Sequence, residues 1–281
     1  MLIFSRQADL QSHMSQASAG LTIGFVPTMG ALHAGHLSLI RTSLRENDLT
    51  VVSIFVNPTQ FNNPDDLAKY PRTLEADVAK IESISDAVIV FAPTVDDMYP
   101  GQTQSEAFDF DGLEHQMEGK FRPGHFNGVG TIVKRLFEII KPYRAYFGEK
   151  DFQQLQIIRK LVSKYDIPVQ IVGCPIHRET NGLAMSSRNE RLSAKHRDHA
   201  SFIYKILTQT KERFATESPG QVSEFVKQAF DQNPDFSLEY FEIADAETLV
   251  SITDKQPDRK YRAFIAGFAG DVRLIDTLEL N

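Results

Sequence analysis

Two imidazoles three residues apart, in the run His33-Ala34-Gly35-His36, are the side chains of this chain best suited to chemistry. Apart from any context, a His-x-x-His pair is commonly a surface pair or a spacing that only looks metal-binding. At the start of a helix, unpaired backbone N–H groups and the positive end of the helix dipole attract phosphate oxygens, and two imidazoles there add further donors. Gly35 between them allows close approach to the backbone. A second segment, Gly182-Leu-Ala-Met-Ser-Ser-Arg-Asn189, gathers two hydroxyls and a cation near glycine. By itself it reads as an ordinary polar loop. The two segments together point to a nucleoside triphosphate.

The elements that must position these residues follow from hydrophobic period. Residues 21–26 form an apolar, β-branched run of strand type, broken by Pro27 and Gly30 before residues from His36 onward resume at helical spacing. Strand-like runs at 50–56, 87–91, 145–148 and 169–174 alternate with helical stretches at 74–83, 128–140 and 152–165. That rhythm predicts a Rossmann-like, doubly wound parallel sheet with right-handed crossovers. Ligands in such a fold bind beyond the carboxyl ends of the strands. The expected strand ends do carry the polar and glycine- or proline-bearing segments Pro27-Thr-Met-Gly, Asn57-Pro-Thr-Gln-Phe61 and Gly148-Glu-Lys-Asp151, with the last strand leading through Pro175 toward Ser-Ser-Arg. These four pieces are expected to converge on one crevice. After about residue 176 the rhythm changes to helices at 193–214 and 222–230, separated by Ser218-Pro-Gly220, and to alternating runs at 238–243 and 261–275. The expected division is a domain over 1–176 and a smaller α+β domain over 177–281 carrying the Ser-Ser-Arg loop.

Composition narrows the classes. A chain of 281 residues, 42% hydrophobic and 24% charged, is long enough for a substantial core and excludes disordered and fibrous classes. A net charge of −7 and a pI near 5.6 argue against nucleic-acid binding, leaving small anionic substrates possible where local cations decide. The single cysteine, Cys174, forbids an internal disulfide, fits a reducing compartment, and reads as a buried thiol with no specific base beside it. The first residues lack the pattern of an export signal, and no apolar run approaches the roughly 20 residues that span a bilayer. A cytoplasmic location is expected.

The motifs then become specific. Pro27-Thr-Met-Gly-Ala-Leu-His-Ala-Gly-His36, Ser53-Ile-Phe-Val-Asn-Pro-Thr-Gln-Phe61, Tyr70-Pro-Arg-Thr73, Phe121-Arg-Pro-Gly-His-Phe126, Phe147-Gly-Glu-Lys-Asp-Phe-Gln-Gln-Leu155 and Met185-Ser-Ser-Arg-Asn189 make the chain resemble, along nearly its whole length, the pantothenate synthetases, or pantoate–β-alanine ligases. The wider superfamily of histidine-motif nucleotidyl transferases, which includes class I aminoacyl-tRNA synthetases, shares only the His-x-Gly-His and Lys-Met-Ser-Lys-Ser-like elements. The resemblance implies that pantoate and ATP form pantoyl adenylate and pyrophosphate, after which the amine of β-alanine displaces AMP. It implies a site for ATP, Mg²⁺ and both small substrates, a homodimer, and no membrane or nucleic-acid partner.

By the same resemblance, Met29, Gly30, Ala31, Leu32, His33, Ala34, Gly35 and His36 line the ATP phosphates, with His33 and His36 stabilising the transition state. Whether His36 transfers a proton or only donates hydrogen bonds is open at this point. Lys150 is expected on the phosphates, Gly148, Glu149 and Asp151 beside the nucleotide, and Met185, Ser186, Ser187 and Arg188 as a mobile loop closing over it. Arg188 stands where other nucleotidyl transferases place lysine. Gln60 and Gln154 match the pantoate-binding glutamines, Gln60 also facing β-alanine. Asp77 is the candidate magnesium contact, with a solvated helical carboxylate as its alternative. Arg122 either orients a substrate carboxylate or is structural. His177 departs from the family, where a small aliphatic residue more often touches adenine; it either stacks on the base or faces solvent.

Three rivals differ in what they require. Another adenylyl- or cytidylyltransferase needs no amine-acceptor pocket, which the Asn57-Pro-Thr-Gln-Phe61 and Phe152-Gln-Gln154 blocks favour. A silent nucleotide-binding protein would have lost its chemistry, yet His33, His36, Lys150 and Arg188 are present. A tRNA synthetase fragment is disfavoured by the acidic charge.

Overall fold

The computed structural model describes Met1–Asn281 as two compact units. The first comprises Met1–Glu114, Gly119–Gly148 and Gln154–Cys174; the second comprises His115–Glu118, Glu149–Gln153 and Pro175–Asn281.

The first unit is built on six parallel strands, β1 (Leu2–Phe4), β2 (Ile23–Thr28), β3 (Leu49–Ile54), β4 (Ile89–Phe91), β5 (Arg144–Gly148) and β6 (Gln170–Cys174), in the order β1-β4-β3-β2-β5-β6. The helices between them in the chain are α1 (Gln7–Ala17), α2 (Ala34–Glu46), α3 (Pro64–Lys69), α4 (Leu74–Glu82), α5 (Val95–Met98), α6 (Met117–Phe121), α7 (His125–Ile140) and α8 (Phe152–Lys164), the first two residues of α6 and of α8 falling in the second unit. A sheet covered on both faces needs strands that are apolar throughout, and Phe25, Val26, Val51, Val52, Val90 and Phe91 are accordingly sealed from solvent. The doubly wound sheet expected from the alternation is therefore present. Strand β1 and helix α1 escape that reading, because a three-residue strand with Leu2 and Ile3 about half exposed carries no buried period.

The strand order turns back at β2, which has β3 on one side and β5 on the other. Pairing of β2 with β3 runs to Thr28↔Ile54, whereas pairing with β5 stops at Phe25↔Ala145. Pro27 has no N–H to give a neighbouring strand, and the two strands part there. The sheet thus opens beyond the carboxyl ends of β2 and β5, the place where doubly wound folds bind ligands.

The second unit packs α9 (Ala194–His199), α10 (Ser201–Phe214) and α11 (Pro219–Asp231) on an antiparallel sheet of β7 (Phe236–Asp245), β8 (Tyr261–Ala269) and β9 (Val272–Glu279). Ile203, Leu207, Val222, Val226, Ile265 and Leu274 form its core. Ser218 and Gln221 cap α11 reciprocally, with Pro219 at its first position. The single alternating run expected over 261–275 is two strands, folded at Gly270-Asp271, where glycine takes φ +63°. The expected helix over 193–214 is likewise interrupted at Ala200. Cys174 is buried, as its neighbours suggested, and is in no disulfide. No helix is long and apolar enough to cross a membrane.

Candidate active site

In the first unit, β2 hands over to α2 through a loop that α4 holds in place. Gly30 and Ala31 both take left-handed backbone, φ +82° and +48°. A side chain at Gly30 would also crowd Asp77 and Ile54, so glycine is required there on two counts. Asp77 is wholly buried; its Oδ1 accepts from the Leu32 N–H (2.7 Å), and its Oδ2 from the Ala31 N–H (2.9 Å) and the Thr73 hydroxyl (3.2 Å). Lys80 donates to the Leu32 carbonyl (2.7 Å). Asp77 is thus the clamp of the loop. This corrects the expectation of a magnesium contact, since the carboxylate is spent on three donors and presents no accessible oxygen. Nor do three His, Cys, Asp or Glu side chains meet elsewhere as a ligand set. Ala31 and Leu32 likewise give their amides to Asp77, and Leu32 is 2% exposed, so these two hold the loop's shape without offering N–H groups to a phosphate.

The same loop ends in an unusual cap. His33 is the N-cap of α2, its Nδ1 accepting from the Gly35 N–H (3.2 Å), while His36 Nδ1 accepts from the His33 N–H (3.3 Å). This is a capping box built from two imidazoles in place of serine and glutamate. A ring nitrogen that accepts a backbone N–H carries no proton, so in both neutral rings the proton resides on Nε2. The rings lie 4.0 Å apart at the positive end of the helix. Charging either ring at Nδ1 would break a cap bond, and charging both would set like charges side by side. The arrangement sets two imidazoles at the helix start, each with its Nδ1 engaged in the cap.

Beyond β3, the turn Pro58–Gln60 holds an amide in a fixed orientation. Gln60 is buried, its Oε1 accepts from Asn57 Nδ2 (3.0 Å), and its main-chain carbonyl accepts from His125 Nδ1 (2.9 Å) and from Arg122 (3.2 Å). One Arg122 nitrogen is thus bonded to the turn. The turn can sit there because α7 presents a glycine: a Cβ on Gly128 would lie 2.2 Å from the Thr59 carbonyl oxygen. Asn57 and His125 lie in motifs visible in the sequence, but neither they nor Gly128 was given a role of its own there. A glycine interrupting an apolar helical run was the one available signal. Gln154, at the start of α8, is partly exposed. Gly148 ends β5 with nothing within 4 Å of where a Cβ would stand.

In the second unit, the turn Glu149–Asp151 carries Lys150, whose side chain is mostly buried and whose ammonium is 3.5 Å from Asp151. Arg262 fixes this turn by donating to Glu149 (3.2 Å) and lying 4.0 Å over the Phe152 ring. Burial pulls the Arg262 pKa down, against the upward effect of Glu149 and Glu279. The Ser-Ser-Arg segment is carried by a short hairpin, closed by the Met185 N–H on the His177 carbonyl (3.0 Å) and the Arg178–Ala184 bridge. Arg178 anchors it, with two bonds to the buried Asp276 (2.6 and 3.0 Å) and its guanidinium 3.9 Å over the Tyr204 ring. Burial raises the Asp276 pKa even so, with Arg178 opposing. Ser186 caps the turn Ser187–Arg191 by accepting from the Arg188 N–H (3.3 Å), and Asn189 bonds back to Ala184 and Glu179. The His177 side chain is exposed.

The family model described as pantoate-beta-alanine ligase matches residues 2–279. A pantothenate synthetase of Flavobacterium psychrophilum is 58% identical, with all of both chains covered. The crystal structure of a pantothenate synthetase from Thermus thermophilus superposes with a TM-score of 0.91 at 40% identity, covering 100% of this chain and 99% of that one. A pantoate-beta-alanine ligase from Francisella tularensis, complexed with beta-gamma ATP and beta-alanine, gives 0.83 at 37% identity, covering 100% and 98%.

Proposed function

The chain belongs to the pantoate–β-alanine ligase family, and from that premise we propose how its residues perform the ATP-dependent joining of pantoate to β-alanine in pantothenate biosynthesis. A carboxylate resists attack by an amine until one oxygen becomes part of a leaving group. In the first step a pantoate carboxylate oxygen attacks the α-phosphorus of ATP, the bond to the bridging oxygen breaks, and pyrophosphate leaves. In the second the free amine of β-alanine attacks the acyl carbon, AMP departs with the carboxylate oxygen, and the nitrogen releases one proton to solvent and keeps the other as the amide N–H.

No protein nucleophile is needed, so catalysis rests on position and charge. The reading is carried by the two-imidazole cap of α2 at the carboxyl end of β2. Its Nε2–H groups are preorganised donors for charge developing on the phosphate oxygens, and such donors are worth about 10²–10³ each in rate. Lys150 and Arg188 supply positive charge to the leaving pyrophosphate, and Ser186 and Ser187 supply hydroxyl donors. Glu149 and Asp151 flank the nucleotide, with the open space at Gly148 admitting it. Gln60 and Gln154 hold pantoate by its hydroxyls and carboxylate, Gln60 also meeting β-alanine. Because Asp77 does not suit a metal, magnesium enters with the phosphates of ATP as part of the substrate. Family resemblance also supports a homodimer in the cytoplasm. Light scattering on the purified protein, expected at twice the 31.7 kDa chain mass, tests the assembly.

Product analysis with each reactant omitted in turn tests the function. Pantothenate with equal AMP and pyrophosphate is expected only from the full mixture. Pyrophosphate without AMP in that mixture would instead indicate a nucleotidyl transferase.

A further inference from the structure

Behind Gln60 lies a chain of hydrogen bonds with a single possible direction. Asn57 is 1% exposed and its Nδ2 faces two oxygens, the Gly128 carbonyl at 3.1 Å and Gln60 Oε1 at 3.0 Å. A carbonyl oxygen only accepts, so Gly128 dictates which end of the Asn57 amide turns toward it; the flipped amide would set oxygen against oxygen. At the other end, Asn57 Oδ1 accepts from the Tyr99 hydroxyl (2.6 Å) and from the Thr59 hydroxyl (3.1 Å), themselves 3.1 Å apart. Tyr99 is 2% exposed, with Arg135 4.5 Å over its ring and Phe55 against it. Burial raises the Tyr99 pKa, so its hydroxyl retains the proton it donates. With Oε1 turned toward Asn57, the Nε2 end of the Gln60 amide is the end left for a ligand.

We propose that Tyr99 is a positioning residue that, together with the Gly128 carbonyl, fixes the polarity of the Gln60 amide, so that Gln60 meets pantoate as a hydrogen-bond donor and the site selects an oxygen acceptor there. This rests on the reading of Gln60 as a pantoate contact. A free glutamine offers either end to a ligand at little cost, whereas the Tyr99–Asn57–Gln60 chain removes that choice before substrate arrives. A substrate presenting an N–H at this point meets donor against donor, and buried polar mismatches of this kind discriminate strongly between substrates.

The test is a double-mutant cycle on the full-length enzyme, with KM for pantoate, KM for ATP and kcat measured for Tyr99→Phe, Gln60→Ala and the pair. Tyr99→Phe removes one oxygen and keeps the ring contacts. It is expected to raise the pantoate KM about three- to tenfold, the worth of one neutral hydrogen bond, with the ATP KM unchanged. In the Gln60→Ala background the same substitution is expected to add nothing. Additive effects, or an equal change in both KM values, would overturn the relay. An unchanged pantoate KM in Gln60→Ala would instead remove the premise that Gln60 touches pantoate. Gln60→Glu, which puts an acceptor where the donor stood, is expected to raise the pantoate KM above that of Gln60→Ala at pH 8; an equal or lower value would overturn the donor assignment. Should Tyr99→Phe fold poorly, Thr59→Val removes the weaker donor and is expected to shift the pantoate KM in the same direction by a smaller factor. No shift there, together with an unaltered Gln60→Glu, would also refute the relay.

Discussion

Replacing Asp77 by asparagine separates a loop clamp from a metal ligand, because the two roles give opposite results. The carboxylate serves two backbone amides and one hydroxyl with two oxygens (2.7, 2.9 and 3.2 Å). Asparagine keeps the shape but has one oxygen. With that oxygen on Leu32, its NH₂ group faces the Ala31 N–H, donor against donor, while the Thr73 hydroxyl can turn to accept. The loss is one charge-assisted hydrogen bond, about 1.5–3 kcal/mol, plus an unsatisfied buried donor at about 1–3 kcal/mol, partly offset by no longer burying a charge. A net destabilisation of about 2–4 kcal/mol is expected, lowering Tm by roughly 5–10 °C for a unit of this size. His33 and His36 sit on the end of the loosened loop, so adenylation should fall as well. The assay is thermal unfolding together with pantoate-dependent ATP–pyrophosphate exchange, each repeated over a series of Mg²⁺ concentrations. A clamp gives a lower Tm and a rate deficit that extra Mg²⁺ does not repair. Unchanged Tm with activity recovered at high Mg²⁺ would refute the clamp and restore Asp77 as a ligand.

Other substitutions probe separate parts of the account. Gly148→Ala has no protein atom within 4 Å of the added Cβ, so Tm should hold within a degree or two while the ATP KM rises at least tenfold; an unaltered ATP KM would place the nucleotide elsewhere. Gly128→Ala forces the turn Pro58–Gln60 away from α7, because its Cβ would meet the Thr59 carbonyl at 2.2 Å, and should raise the pantoate KM while sparing that for ATP. The surface ion cluster in which Lys164 bonds Asp109 (2.8 Å) and Asp111 (2.7 Å) holds both carboxyls below the usual aspartate pKa, chiefly through those hydrogen bonds. Their stabilising contribution is therefore present above the ordinary aspartate range near 3.8 and is lost as pH falls through the lowered values. Lys164→Met should accordingly be less stable than the parent at pH 6 and indistinguishable from it near pH 2, as denaturant midpoints at the two pH values will report.

How far the chain could be read in advance follows from where each interaction sits. The buried strands and the His33–His36 pair are local patterns, visible as an apolar run that ends in proline and glycine and passes to helical spacing. The charged and amide residues after β5 are legible for the same reason. Asp77 was misread because its partners are 45 and 46 residues away: from sequence it is an acid on a helix, and only the packing of α4 under the loop turns it inward. The relay from Tyr99 to Asn57 spans 42 residues, and the seat of Gly128 on Thr59 joins α7 to a turn far earlier in the chain. The cap itself was half legible. Spacing placed both imidazoles at a helix start, but their tautomers depend on which backbone N–H each Nδ1 accepts, and that is geometry. Strand β1 and the Gly270-Asp271 turn were missed for local reasons, one being too short and exposed to show a period and the other hidden inside an alternating run.

His36→Gln probes whether the imidazoles at the start of α2 act on the phosphate during adenylation. Glutamine at this position can still accept the His33 N–H and complete a capping box, so the helix start is preserved while the Nε2–H donor is lost. ATP–pyrophosphate exchange should require pantoate and proceed without β-alanine in the parent enzyme. In His36→Gln it should fall by about 10²–10³ with Tm nearly unchanged. Exchange at the parental rate in a folded His36→Gln enzyme would contradict the account.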